Sequence, residues 1–226
     1  MTTLTQSKTQ DVNTLRQVFS NINLYSCPHD YNFHLHTTCS DGRLTPQSVI
    51  DQAINIGLKG FAITDHHTLK GYDQAQYYLD ILAQSNRNLP DFWSGIEITA
   101  NLLDVDVHIL GYGFNPNHSS LKPYIKGNSP GGKDADCAEV INALHQAGAI
   151  VILAHPARYK KSAFDLINAV VKLGIDGVET YYAYSNPNPW QPSLKETEKV
   201  KSLADSYGLY NTCGTDTHGV NLLMRL

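Results

Sequence analysis

No stretch of this chain approaches 18 consecutive apolar residues, and the Thr/Gln-rich residues 1–10 contain no apolar run, so neither a membrane-spanning helix nor a secretory leader is expected. Charge is sparse as well. Charged residues make up 17% of the chain, 17 basic against 21 acidic, and the resulting formal charge of −4 leaves no overall basic footprint of the kind that drives non-specific nucleic-acid binding. Cysteine is scarce: Cys27, Cys39, Cys137 and Cys213 are widely separated and lack C-x-x-C spacing, which argues against a disulfide scaffold and for reduced thiols. There is no internal repeat and no domain-splitting linker. These absences predict a soluble, cytoplasmic protein with no membrane partner. With 42% hydrophobic residues and 226 residues in all, the chain suits one globular domain rather than a disordered or fibrous one.

What is present is an alternation of strand and helix patterns. Val12, Leu15, Val18, Phe19 and Ile22 recur at helical spacing and predict a short packing helix over 11–22, within an N-terminal extension of residues 1–30. Strands are expected over 31–36, 60–64, 92–99, 105–111, 149–154, 177–180 and 209–213. Helices are expected over 45–57, 72–86, 134–147, 162–173 and 193–207. The first of these strand-to-helix turns carries Thr45 as N-cap and Pro46 at the first helical position, and Gly57 terminates the helix. The segment 105–111 alternates like the second strand of a hairpin. Residues 113–133 are rich in Pro and Gly and predict an irregular surface loop or small lid. Repeated strand-then-helix order implies mostly parallel strands with helices outside, in a domain over 31–226.

Ten histidines are many for this length, and they are dispersed rather than tagged at one end. His34 and His36 stand at i and i+2 of a predicted strand, so they share a face, and Ser40-Asp41-Gly42 then turns the chain and offers a carboxylate. Asp65-His66, Glu97, His155, and Asp216 with His218 each fall at or just after a predicted strand's C-terminal end. That edge is where parallel α/β folds assemble active sites. His108 lies inside its strand, flanked by Val107 and Ile109, which leaves its ring on the opposite face. Glu97, set among apolar residues in Gly95-Ile96-Glu97-Ile98, would be costly to bury unless paired or bound to a cation. Each signal alone is compatible with a hydrogen-bonded structural role; their coincidence at one edge favours a metal site.

In order, His34-Leu35-His36 with Asp41, Asp65-His66, Glu97, His108, His155 and Asp216-Thr217-His218 resemble the motifs of the polymerase and histidinol phosphatase family, the PHP domain. The resemblance runs from about residue 31 to 218, and all nine ligand positions hold ligand-competent residues. It implies an α/β fold, a distorted (β/α)7 barrel of a single domain, holding two or three divalent ions. On that resemblance His34, His36, Glu97 and Asp216 are expected to hold a first ion, Asp41, His66 and His218 a second, and His108 and His155, with Glu97 bridging, a third. The mixed imidazole and carboxylate set suits Zn, Mn or Fe. The reaction expected is hydrolysis of a phosphate ester by a hydroxide bridging the ions. Asp65 is expected to orient a histidine through its N–H, with a direct role as the alternative.

Arg158, three residues after His155, is placed to offer phosphate a bidentate fork, unless it is an ordinary solvated loop arginine. His67 stands where many relatives carry Asp or Asn, and protonating the leaving oxygen, contacting phosphate or covering the cleft are its open roles. Glu179 ends its strand and either binds an ion or substrate hydroxyl or makes a hydrogen bond within the fold. Cys39 is read as a small packing side chain. Only 46 residues separate His108 from His155, too few for a full lid domain, so a small phosphorylated substrate or a nucleic-acid end is the expected partner. Tyr181, Tyr182, Tyr184 and Trp190 then either stack on a base or anchor their own loop. A nucleotide or oligonucleotide phosphoesterase is favoured. Histidinol-phosphate phosphatase, protein tyrosine phosphatase, and a non-catalytic metal-binding module of a larger assembly are the alternatives.

Overall fold

The computed structural model describes residues 11–84 and 88–226. The first ten residues of the expected N-terminal extension, and the expected helix end at Asn86, lie outside the described residues. Helix α1 (Val12–Phe19) starts where the Asp11 carboxylate accepts the Asn13 N–H at 2.9 Å. Strand β1 (Tyr31–Asn32) follows, then α2 (Pro46–Ile56), whose Thr45 cap accepts the Ser48 N–H and whose end turns on Gly57 at φ 82°. Next come β2 (Gly60–Ala62), α3 (Lys70–Ala83), β3 (Asp91–Trp93), β4 (Gly95–Leu102) and β5 (Val105–Tyr112). The rest of the chain forms α4 (Cys137–Gln146), β6 (Ile150–Leu153), α5 (Ala163–Lys172), β7 (Gly177–Tyr181), α6 (Leu194–Ser206) and β8 (Tyr210–Cys213).

The fold is mixed α/β, with a parallel sheet β1-β2-β3 and a five-stranded sheet β4-β5-β6-β7-β8. Among the described strands only β5 runs against its neighbours. The expected strand over 92–99 is therefore two strands in two sheets. The chain steps across at Ser94, whose hydroxyl donates to the Phe114 carbonyl, and at Gly95, where any Cβ would collide with the Ile63 carbonyl. Beyond β1 the chain stays extended: Leu35 bridges Thr217, and the Phe33 N–H donates to the Cys213 carbonyl at 3.1 Å. His66 bridges Glu97 across the other seam between the sheets.

The expected helix 134–147 begins as a 3-10 turn (Gly132–Ala135) and restarts as α4 on its own cap, Asp136. The irregular segment 113–133 contains a second such turn at Ser119–Leu121, and buried Leu121 and Tyr124 pin it to the β4–β6 core. No helix among the described residues is long and apolar enough to cross a membrane. All four cysteines are free thiols.

Two packing faces position the site. Leu15 and Phe19 of α1 pack with Phe33, Trp93, Tyr112 and Ile150 at the end where the parallel strands begin. Phe19 meets Phe33 edge-on at 4.8 Å and Tyr112 at 5.6 Å. That leaves the opposite, C-terminal edge of the parallel strands free for polar side chains.

Candidate metal centre

The chain just beyond β1, β2, β6 and β8 converges at that edge with Glu97, the third residue of β4, and the direction of β5 explains how His108 joins them. Because β5 is antiparallel to β4 and β6, its beginning lies beside their ends, so His108 reaches the same place from the opposite direction. Buried Glu97 sits at the middle of the cluster. Its Oε2 lies 2.9 Å from His34 Nε2 and 3.0 Å from His36 Nε2, while its Oε1 lies 2.7 Å from His108 Nδ1 and 3.5 Å from His155 Nε2. Asp216 Oδ1 faces the same histidines, 3.4 Å from His34 Nε2 and 3.2 Å from His36 Nε2. Asp41, on the half-exposed turn after His36, lies 3.2 Å from His218 Nε2 and 3.8 Å from His66 Nε2.

All nine expected ligand residues therefore meet in one place. Their grouping differs from the expectation in detail. Four sets have ligand atoms mutually within 4.8 Å: His34, His36, Glu97 and Asp216; His36, Asp41, His66 and His218; His66, Glu97 and His108; and His34, His155 and Glu179. The first matches the expected set, and the second gains His36. His66 rather than His155 accompanies His108 in the third, although Glu97 Oε1 touches both.

The donor set fits divalent cations. Both ring nitrogens of His36 and His155, His108 Nδ1 and Glu97 Oε1 are buried without a hydrogen-bond partner. His108 Nδ1 lies 2.7 Å from Glu97 Oε1 and His36 Nε2 3.0 Å from Glu97 Oε2, yet off the hydrogen-bonding direction, an arrangement that suits lone pairs aimed at a shared cation. Protonation tells the same story. Burial opposes charge on His34 and His36, yet Glu97 and Asp216, with Glu179 beside His34, raise His34 well above the ordinary range and His36 to about 9. Burial would raise the carboxyls of Glu97 and Asp216, and the neighbouring histidines instead hold both well below the usual range. Burial pushes His66 down to about 4 and lowers His155. The cluster thus draws positive charge into a buried space.

Backbone conformation is specialised at the same edge. His67, His155 and Asp216 are non-glycine residues with φ of 53°, 28° and 53°, a strained conformation that recurs at functional sites. Gly214 lets β8 approach β1 closely, since a Cβ there would collide with the Cβ of His34.

The three expected catalytic side chains have different fates. Arg158 is at the site, its Nη1 3.1 Å from Asp216 Oδ2, and is 44% exposed. Asp65 does not orient a histidine. Its carboxylate accepts the Thr37 N–H and hydroxyl and the Ser40 hydroxyl, each at 2.7 Å, which fixes the turn that carries Asp41. His67 is drawn into the 113–133 segment, with Nε2 3.1 Å from the Thr99 hydroxyl and 3.2 Å from that of Ser129, while its carbonyl accepts the Gly127 N–H. Those ring partners lie outside the cluster, while the His67 N–H donates to the Glu97 carbonyl at 3.1 Å and its ring lies 6.0 Å from that of His66.

Glu179 makes hydrogen bonds within the fold and also belongs to one of the four candidate ligand sets. Its Oε1 is 2.9 Å from His34 Nδ1 and its Oε2 accepts the His155 main-chain N–H at 2.9 Å, which leaves His34 Nε2 as the nitrogen facing the cluster. Tyr159 accepts the His108 N–H, and Tyr182 donates to Asp216 Oδ2 at 2.7 Å, so two of the tyrosines near the site serve its framework. Arg225 carried no sequence signal. It lies in an irregular stretch seven residues past His218, and folding brings its Nε 2.8 Å from Asp216 Oδ2.

A mixed α/β fold with a buried histidine–carboxylate cluster at the C-terminal strand edge defines a metal-dependent hydrolase. A family model of the PHP domain matches residues 32–218, and the chain belongs to that family of metal-dependent phosphoesterases. It is similar to the 5'-3' exoribonuclease Rnm of Salmonella typhimurium, 23% identical over 83% of this chain and 85% of the relative. A shorter match, 34% identical over 42% of this chain and 31% of the relative, is to a 3',5'-nucleoside bisphosphate phosphatase of Chromobacterium violaceum. Among solved structures, one from Bifidobacterium adolescentis, taken to be a metal-dependent phosphoesterase, aligns with a TM-score of 0.67 and 23% identity over 85% of this chain and 88% of the other. An amidohydrolase from Chromobacterium violaceum aligns equally well, with 22% identity over 84% of this chain and 88% of the other.

Proposed function

We propose that this chain hydrolyses phosphate esters of nucleotides or of oligonucleotide ends. The observation that carries the reading is the convergence of His34, His36, Asp41, His66, Glu97, His108, His155, Asp216 and His218, among which His36, Glu97, His108 and His155 carry buried lone pairs that no hydrogen bond satisfies. We assign His34, His36, Glu97 and Asp216 to a first ion, Asp41, His66 and His218 with His36 to a second, and His108 with Glu97, His66 and His155 around it to a third. Divalent ions bound there supply a water of lowered pKa and concentrated positive charge for phosphate oxygens. Glu97 directs one oxygen to each side of the cluster, and Glu179 keeps His34 in the tautomer whose Nε2 faces inward. Arg158, half exposed beside Asp216, presents its free guanidinium edge to a phosphate oxygen.

We read the two sheets as one distorted barrel over 31–226, a view supported by the bridges at both seams, Leu35 to Thr217 and His66 to Glu97. Residues 11–30 are its packing extension, and 113–133 covers one side of the cleft.

Nucleotide-type substrates are favoured by the names of the relatives. The alignment with the Salmonella exoribonuclease is 259 residues long yet takes in 83% of this chain, so the relative carries a sizeable block with no counterpart here, which supports an open site. Protein loaded in turn with Mn, Zn and Fe is expected to release phosphate or mononucleotide from a 3',5'-bisphosphonucleoside and a 5'-phosphorylated oligoribonucleotide. Turnover of histidinol phosphate or a phosphotyrosine peptide, with neither nucleotide substrate cleaved, would reverse the substrate assignment. Failure to bind any divalent ion stoichiometrically would remove the site assignment itself.

A further inference from the structure

Asp216 Oδ2 is shared by three donors, one more than its lone-pair sites serve best. It accepts from the Tyr182 hydroxyl at 2.7 Å, Arg225 Nε at 2.8 Å and Arg158 Nη1 at 3.1 Å, whereas such an oxygen offers about two lone-pair sites. The third bond is surplus, and it belongs to Arg158, which is the longest of the three and the more exposed of the two arginines, 44% against 15%.

Arg225 is held in place by a built segment. The carbonyl of Arg225 accepts the His218 N–H at 2.7 Å, and Thr217 Oγ1 donates to the Met224 carbonyl at 2.7 Å. Gln52 spans the segment from α2, donating to the Val220 carbonyl at 2.9 Å and accepting the Leu222 N–H at 3.0 Å, while Leu222 is buried against α2 and α3. A long side chain is thereby aimed at one carboxylate oxygen.

We propose that Arg225 is a positioning residue that occupies Asp216 permanently, together with Tyr182, so that Arg158 is released to bind the phosphoryl group. Without Arg225, Asp216 keeps a buried negative oxygen with one donor fewer, and Arg158 becomes its counter-ion instead of the substrate's. Arg225 therefore acts through Arg158 and makes no phosphate contact itself. The proposal rests on the reading of Arg158 as the phosphate-facing fork.

The test is calorimetric titration of the metal-loaded protein with inorganic phosphate, for the native chain, R158Q, R225Q and the double variant. R225Q is expected to weaken phosphate binding roughly tenfold, the size of one charge-assisted contact, and to cost nothing further once Arg158 is gone. R225K keeps the charge and one donor to Oδ2, so it should recover most of the affinity, and it serves as the probe should R225Q fold poorly. An equal loss from R225Q in both backgrounds would mean a direct or general role and would overturn the proposal, as would no loss at all. Native-like phosphate affinity in R158Q would instead remove the underlying reading of Arg158.

Discussion

Glu97 illustrates how much of the chemistry is decided one side chain at a time. A lone carboxylate among Ile96 and Ile98 is unfavourable in the core, and four histidines around it convert that cost into a demand for positive charge. In ion-free protein, protons meet that demand. His36, raised to about 9, and His34, raised well above its ordinary value, contribute stability that is fully present below about pH 6.5 and lost as pH rises through the folded value. His66, pushed down to about 4, has the opposite sign, but its contribution is lost only as pH falls below the ordinary range, outside this window. Chelated protein should therefore melt at progressively lower temperature between pH 6.5 and 9, and metal-loaded protein should not follow it, because ions displace those protons. A chelated melt that is flat or rising over this window would contradict the protonation pattern.

Eight of the nine candidate ligands were legible from residue type and placement at or near predicted strand ends, whereas His108, inside its strand, was placed by the face it occupies and by the family resemblance. Arg225 and the bonding of Glu179 were not legible, since neither has a spacing that points at its partner.

At the scale of elements, the decisive features are close approaches and one reversed strand. Gly214 joins β8 to the turn bearing Asp216 and His218, and its missing Cβ is what lets that turn lie against His34. G214A should cost about 1–3 kcal/mol in denaturant unfolding, the range for overpacking, and should weaken divalent-ion binding by displacing His34 from Asp216. Unchanged ion affinity in G214A would show that the β8–β1 approach does not set the centre. Helix and strand identities were readable from period and caps, as with Thr45, Pro46 and Gly57 around α2. The break at Ser94 was not, because Phe92 to Thr99 carries one continuous β-type pattern and only the packing of Gly95 on Ile63 divides it between sheets. The antiparallel course of β5 was suggested by its hairpin pattern, and it accounts for His108.

For the molecule as a whole, stability and chemistry sit at opposite ends of the strands. Helix α1 closes the end where the parallel strands begin, with Phe19 wedged edge-on between Phe33 and Tyr112. Phe19→Ala is expected to lower unfolding free energy by about 3–5 kcal/mol, as for other fully buried aromatics, while leaving ion stoichiometry intact. A loss below about 1 kcal/mol would mean that α1 is not part of the cooperative core.

The sequence by itself determined the alternating α/β pattern, the edge at which the ligands collect and the chemistry of the donor set. Those depend on local period, on capping, and on which side chains have lone pairs to offer. Only the tertiary structure decided that Asp65 braces a turn, that His67 bonds Ser129 and Gly127, that Glu179 contacts two histidines, and that Arg225 returns to Asp216. Each of those contacts joins residues distant in sequence through packing that no local pattern encodes.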